Sequence, residues 1–386
     1  MGLPRSRYVR EGEEGVYHCF SRCVRRAFLY GFDALTGRDF SHRKAWVVKR
    51  LQYLASLFGM DVCAYSVMED HQHTILRTRP DIVASWSDRE VATRWLTLFP
   101  QHRNIKPKPN IPAEEEICAL ADRAERIAQL RQRLCSLSWF MGRLNEFIAR
   151  AANKEDKVKG RFWEGRFKCQ VLLDEAALAS CMAYVDLNPI RAEMAGTPEE
   201  SDFTSIQERI RTWQKEQQEM MSTTSMHGQE EVQDMQSASV SRPTTVPENT
   251  AQAPESIPDR LADLAHDSGV WLCPIHSEPR QRGILQMTTA EYFDLVDKSG
   301  RIMRSDKRGA IDADLAPILL RIGANPNAWI ETVSRFGSKF RVAAGLVSNL
   351  RAFADRLGRR WLQGVAMARA AFASQPKPVG CDPTAA

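Results

Sequence analysis

Val62-Cys-Ala-Tyr-Ser-Val-Met68, then Glu69-Asp70, then His71-Gln-His-Thr-Ile-Leu-Arg-Thr78, is the stretch whose reading decides the fold. β-Branched and aromatic residues recur in both runs, a two-residue acidic turn separates them and Pro80 closes the second, so two strands joined tightly are predicted. Working outward, residues 15–23 (Gly-Val-Tyr-His-Cys-Phe-Ser-Arg-Cys) read as an earlier strand. Between them, Ala45, Val48, Leu51, Leu54 and Phe58 recur at helical spacing until Gly59 stops the run. Strand, helix, strand, strand opens the split βαβ arrangement of ferredoxin-like sandwiches.

Downstream, residues 86–153 read as mostly helical. One helix is predicted over 114–134 from its alternating charge, and another over 139–152 from the apolar stripe Phe140, Leu144, Phe147 and Ile148. Lys-Pro-Lys-Pro-Asn-Ile-Pro at 106–112 is loop punctuation. Residues 160–173 read as a turn leading into a strand. Asp174 then caps a helix carrying Tyr184, and Pro189 is expected to end it near Asn188. Residues 216–257 turn to Gln, Ser, Thr, Glu, Met and Pro, the composition of a disordered acidic linker. Helical patterns return over 258–374, with a capping box at Thr288-Thr-Ala-Glu291, and 375–386 read as a flexible tail. The expected fold is therefore α+β: a ferredoxin-like or RRM-like antiparallel sheet over 1–215 with packed helices and a helical insertion at about 86–153. An all-α accessory domain follows the linker.

A chain of 386 residues exceeds one ordinary core. Net charge is only +5, but residues 1–60 hold eleven Lys/Arg against five Asp/Glu, while 216–257 hold seven Asp/Glu against one Arg. A basic front suits a domain that faces a polyanion. Nine cysteines without a Cys-x-x-Cys pair point to reduced thiols, hence a cytoplasmic protein, and argue against a zinc knuckle. No apolar leader and no run of about 18 apolar residues is present, so no membrane partner is expected.

On a strand, His71 and His73 share a face and present two imidazoles together, a pairing that suits a divalent ion as well as it suits a bare surface strand. On a helix, Tyr184 and Asn188 lie one turn apart, so the Asn188 amide oxygen could complete a His/His/Asn ligand set and bring the phenol beside the metal. A phenol, with a pKa of about 10, needs a cation nearby to act as a nucleophile. Glu69 is a further, weaker ligand candidate. Lys157, Lys159, Arg161, Arg166 and Lys168 interleave with Phe162, Trp163 and Phe167. That mixture can hold phosphates and stack bases, or it can be a solvated loop with its aromatics in the core. Arg22, Arg25 and Arg26 form a second basic cluster open to the same two readings.

His-Gln-His after a Val-Met strand, the Gly160-Arg-Phe-Trp-Glu-Gly-Arg-Phe-Lys168 turn and Tyr184-x-x-x-Asn-Pro-Ile-Arg-Ala192 together resemble the REP-associated tyrosine transposases, single-tyrosine members of the HUH endonuclease superfamily. The resemblance covers roughly residues 10–210. It implies that His71 and His73, with Asn188, bind Mg²⁺ or Mn²⁺. It implies that Tyr184 attacks single-stranded DNA near a hairpin-forming palindrome, giving a 5′-phosphotyrosine and a free 3′-hydroxyl. Arg22, Arg25, Arg26, Lys159, Arg161, Trp163, Arg166, Lys168 and Arg191 would then contact nucleic acid. Gln72 departs from the pattern, which usually has a bulky apolar residue there, and Glu69-Asp70 replaces the usual Pro-Asn or Ser-Asn. Two further readings stand beside the transposase: a hairpin-DNA-binding protein that has lost cleavage, and a metallohydrolase built on His71, His73 and Glu69.

Overall fold

The computed structural model describes residues 3–24, 29–33, 37–100, 112–230, 271–277, 282–303 and 314–372, with backbone alone for 220–230. Arg25 and Arg26, residues 231–257 of the expected linker and the tail at 375–386 lie outside the described residues.

Strand β1 (Val16–Arg22) leads through a short ribbon, β2 (Phe32–Asp33) and β3 (Arg38–Asp39), into helix α1 (His42–Leu57). The predicted hairpin is β4 (Met60–Val67) and β5 (His71–Thr78). Gly59 stands where α1 turns into β4. A methyl carbon there would fall 2.0 Å from Val83 Cγ2, so the close approach of the chain requires glycine. Helices α2 (Pro80–Ser85), α3 (Asp88–Leu98), α4 (Glu114–Ala121), α5 (Ala124–Leu134) and α6 (Leu137–Glu155) follow, then β6 (Lys168–Leu172). The sheet order is β4-β5-β1-β6, with every neighbour antiparallel, and a fifth strand beyond β6. With α1 and α6 as the crossovers, this is the β-α-β-β-α-β order of a ferredoxin-like sandwich. The α+β class stands.

Alternation fixes which side chains share a face. Paired positions Phe20–His73 and Arg22–His71 put His18, Phe20, Arg22, His71 and His73 on one face. Gln72 and Thr74 point the other way, toward α6, where Gln72 Nε2 donates to Asn145 Oδ1 (3.0 Å) and Thr74 contacts Met141. Asn145 in turn donates to Ser21 Oγ (2.8 Å). The polar residue between the two histidines is thus taken up by a polar partner on α6, and the histidine face is left to other elements.

That face is covered by α7 (Glu175–Asp186), α8 (Asn188–Arg191), α9 (Ser205–Glu230) and the C-terminal residues. Asp174 caps α7 as expected, accepting from Ala177 N–H at 3.1 Å. The C-terminal part comprises α10 (Thr289–Met303), α11 (Leu315–Arg321), α12 (Pro326–Lys339), strand β7 (Ala343–Ala344), α13 (Val347–Arg356) and α14 (Val365–Ala371). The Thr288–Glu291 capping box forms, each residue's N–H meeting the other's side chain (2.8 and 3.2 Å).

Three boundaries differ from the sequence reading. The predicted helix over 114–134 breaks at Asp122-Arg123, and the reversal lets both halves pack on α3. Helix α9 runs through 216–230, where straight-chain Gln, Glu and Met favour a helix. The C-terminal residues are neither all-α nor separate. β7 pairs in parallel with β6, Leu272 bridges to Val62, and the apolar residues of both halves form one contiguous core. A two-residue Ala-Ala strand carries no alternation that a sequence could show.

Candidate functional site

The histidine face holds three imidazoles rather than two. His18 Nδ1 lies 2.8 Å from Gln170 Oε1, and His18 Nε2 lies 2.8 Å from His73 Nδ1. Gln170 Nε2 donates to the Phe340 carbonyl, which fixes the amide so that its oxygen faces His18. That oxygen can only accept, so His18 carries its proton on Nδ1 and accepts at Nε2, and His73 must donate from Nδ1. The chain of donors leaves the lone pair of His73 Nε2 free. Nε2 is buried and has no hydrogen-bond partner among the described residues. Burial first, then the neighbouring His71 and His18, holds His73 well below the ordinary histidine range, and burial brings His18 down to about 4. Both rings are neutral at physiological pH.

His71 is oriented separately. Its Nδ1 donates to Asp70, which Arg22 approaches at 3.7 Å, so Nε2 is the nitrogen left for a ligand. The His71 and His73 ring centres are 4.9 Å apart with planes at 84°. Two imidazoles on one divalent ion at about 2.1 Å from the nitrogen would hold their centres roughly 4.6–5.3 Å apart. A buried acceptor left empty costs about 1–3 kcal/mol, so the His73 lone pair is a poor structural choice and a good ligand. Among the described residues no three His, Cys, Asp or Glu side chains come together as a metal-holding group. The Asn188 amide is buried, and its Nδ2 has no hydrogen-bond partner among the described residues. The two imidazoles are of the donor type that suits a divalent ion.

Tyr184 lies against this cluster. Its ring centre is 5.6 Å from that of His73 and 5.9 Å from that of His18, both edge-on, and the Arg191 guanidinium lies 4.6 Å over it. The helix carrying Tyr184 ends at Asp186, and Asn188 opens a new turn with Pro189 in its first position pair. The single-helix pairing of Tyr184 and Asn188 is corrected to that extent: Leu187 (φ −88°, ψ 3°) interrupts the helix between them, and Pro189 has no N–H to continue the bonding to the carbonyl four residues back. On its outer side Tyr184 meets α12. Phe336 is 6.0 Å away between ring centres, and a methyl carbon on Gly337 would fall 2.9 Å from Tyr184 Oη.

Beside His73 opens a cleft of about 280 Å³ lined by Phe20, Ser21, Arg22, Glu164, Gly165, Arg166 and Lys168. Phe20 is 5.8 Å from His73 between ring centres, and Lys168 Nζ stands 5.7 Å over the Phe20 ring. The basic turn is stitched to the end of β1: Glu164 N–H donates to Arg22 O, Val24 N–H donates to Phe162 O, and Cys23 bridges to Trp163. Arg22, Arg166 and Lys168 thereby line one cleft with Phe20, and Arg191 lies over the tyrosine. Lys159 and Arg161 are exposed farther along the turn. Trp163 is engaged structurally, donating from Nε1 to the Asn145 carbonyl (2.8 Å), and Phe162 and Phe167 are buried. Glu69 is turned elsewhere, its side chain packed against Gly31 and drawn to Lys44. His18 and Phe20 escaped the sequence reading, although the period-two spacing of His18, Phe20 and Arg22 on a strand was the signal that groups them.

No protein-family profile matches the chain, and no curated protein does. Among solved structures, a REP-associated tyrosine transposase bound to a REP hairpin is similar at 10% sequence identity, over 55% of this chain and 86% of that one, with a TM-score of 0.29. At that TM-score the likeness carries no argument about mechanism. No described helix is long and apolar enough to cross a membrane.

Proposed function

We propose that the chain is a single-strand DNA transesterase of the HUH type, acting as a transposase on DNA near hairpin-forming palindromes. The observation that carries this reading is the neutral His73 held by His18 and Gln170, with an unpartnered Nε2, in one cluster with His71 and Tyr184. Tyr184 Oη forms a bond to phosphorus as the bond from phosphorus to the 3′-oxygen breaks. The phenol proton leaves to solvent and the departing 3′-oxygen takes one up, so the phosphodiester is exchanged for a 5′-phosphotyrosine and can be restored by a 3′-hydroxyl. Arg191 places positive charge over the ring whose oxygen attacks. Arg22, Arg166 and Lys168 hold the strand in the cleft, where the half-buried Phe20 offers a face for a base. Mg²⁺ or Mn²⁺ held by His71, His73 and Asn188 would neutralise charge on the non-bridging oxygens.

A second reading, hairpin binding without cleavage, is favoured by one feature: α12 packs over Tyr184 through Phe336 and Gly337. Labelled hairpin-bearing single-stranded DNA separates the two. With Mg²⁺ or Mn²⁺, an adduct that survives denaturation and is lost in Tyr184→Phe supports cleavage. Binding without adduct under either metal supports the second reading.

A further inference from the structure

A second basic cleft, of about 320 Å³, lies in the helical layer on the side of the sheet away from Tyr184. Arg143, Phe147, Arg150 and Lys154 of α6 line it at helical spacings of four, three and four, so they form one stripe. Arg50 of α1 and Phe99, just after α3, face them across it. Four cations meet one carboxylate here. Glu146 pairs with both Arg143 (2.6 Å) and Arg150 (2.7 Å), and among the described residues no ion pair reaches Arg50 or Lys154.

The arrangement is costly without a ligand. Nε of Arg50 and Nε of Arg143 are both buried without a hydrogen-bond partner, at about 1–3 kcal/mol each. Arg50 is wedged between rings, its Cζ 4.8 Å from the centres of both Tyr53 and Phe147, while Arg143 lies 5.4 Å over Phe99. Burial, reinforced by the proximity of Arg143, lowers Arg50 to about 10. Two guanidinium groups with unspent donors, beside two half-buried phenyl rings, match a phosphate attached to a flat base: the donors bind the phosphate and the rings take the base.

We propose that the Arg50/Arg143 cleft binds a nucleotide phosphate, either of a free nucleotide or of a nucleic-acid strand passing over the helical face. The site is distinct from the Tyr184 cluster and does not depend on cleavage. The full chain is tested with dTMP, inorganic phosphate and fluorescein-labelled dT20, comparing the unmodified protein, Arg143→Gln, the exposed-rim variant Arg150→Glu/Lys154→Glu, and the control Arg351→Gln. For dT20, Arg143→Gln should weaken binding about five- to tenfold at 100 mM salt and lower the slope of log K against log salt by about 0.7, one single-strand phosphate contact. The rim variant should weaken it further, and it keeps the test valid if Arg143→Gln does not fold. Arg351→Gln, which removes an exposed cation of α13 outside both clefts, should leave affinity and slope unchanged. A rise in Tm with millimolar dTMP or phosphate that disappears in Arg143→Gln identifies the free ligand as sufficient. An effect confined to dT20 identifies the strand. Equal dT20 affinity and slope in all four proteins, with no variant-sensitive Tm rise, overturns the proposal. An absent DNA adduct with the slope change intact sinks only the transesterase reading.

Discussion

Replacing Gly337 with alanine tests whether α12 is seated on Tyr184. Glycine in a helix costs about 0.5–1 kcal/mol relative to alanine, so at an exposed position the change would ordinarily stabilise by that amount. Gly337 is exposed in the last turn of α12. A methyl carbon on it, however, falls 2.9 Å from Tyr184 Oη and 3.4 Å from Cζ. The oxygen sits at the end of a rigid ring set between His73 and Phe336, so relief requires moving the ring or the helix. Overpacking of that kind costs about 1–3 kcal/mol. The two effects together leave Gly337→Ala neutral to about 2.5 kcal/mol less stable. Tyr184→Phe removes the oxygen and leaves Cζ in ordinary contact, so in that background the same substitution should stabilise by about 0.5–1 kcal/mol. Urea melts of the four proteins should give a coupling energy of about 1–3 kcal/mol. Additivity within about 0.5 kcal/mol, with Gly337→Ala stabilising equally in both backgrounds, refutes the seating of α12 on the tyrosine.

Gln170→Leu removes the acceptor that sets the His18 tautomer, so Mn²⁺ affinity measured by calorimetry should fall about 10- to 100-fold, and an unchanged affinity contradicts the relay. Gln72→Leu removes the donor to Asn145 Oδ1 but also the buried Gln72 Oε1 that has no partner among the described residues, penalties of about 1–3 kcal/mol each, so the two should nearly cancel and stability should change by less than about 1 kcal/mol in urea melts; a loss above about 3 kcal/mol would contradict that balance. Asp186 is fully buried, accepting from Ser205 Oγ (2.5 Å), Ile206 N–H and Tyr292 Oη (2.5 Å), and burial raises it to about 6. A raised folded-state value means that its stabilising contribution is complete below the unfolded value of about 3.9 and is lost as pH rises through 6. Relative to Asp186→Asn, the unmodified chain should therefore lose up to about 3 kcal/mol between pH 4 and 7 and little beyond; a flat difference across that window contradicts the assignment.

The hairpin and the shared face of His71 and His73 were legible because both follow from period-two geometry and from turn chemistry within seventeen consecutive residues. Tyr184 was legible as a candidate through its local block, and its capped helix formed where Asp174 announced it. What could not be read depends on residues distant in sequence. Gln72 looked like a defect until α6 brought Asn145 to it. The His18 tautomer is set by Gln170, and Gln170 by the Phe340 carbonyl, three partners spread over more than three hundred residues. The basic-aromatic turn had two readings, and they divide residue by residue: Arg166 and Lys168 reach the cleft, while Phe162, Trp163 and Phe167 serve the interior. The C-terminal residues read as a separate domain because their helices are amphipathic, but their apolar faces close over the tyrosine side of the sheet.

The most direct test of the account is to locate the residue joined to DNA. The full chain, incubated with Mn²⁺ and hairpin-bearing single-stranded DNA, is denatured and digested, and the nucleotide-linked peptide is sequenced by mass spectrometry. The account predicts a 5′-phosphate on Tyr184, formed with release of a free 3′-hydroxyl and absent in His73→Ala. A linkage on any other residue, or cleavage that persists in Tyr184→Phe, contradicts it.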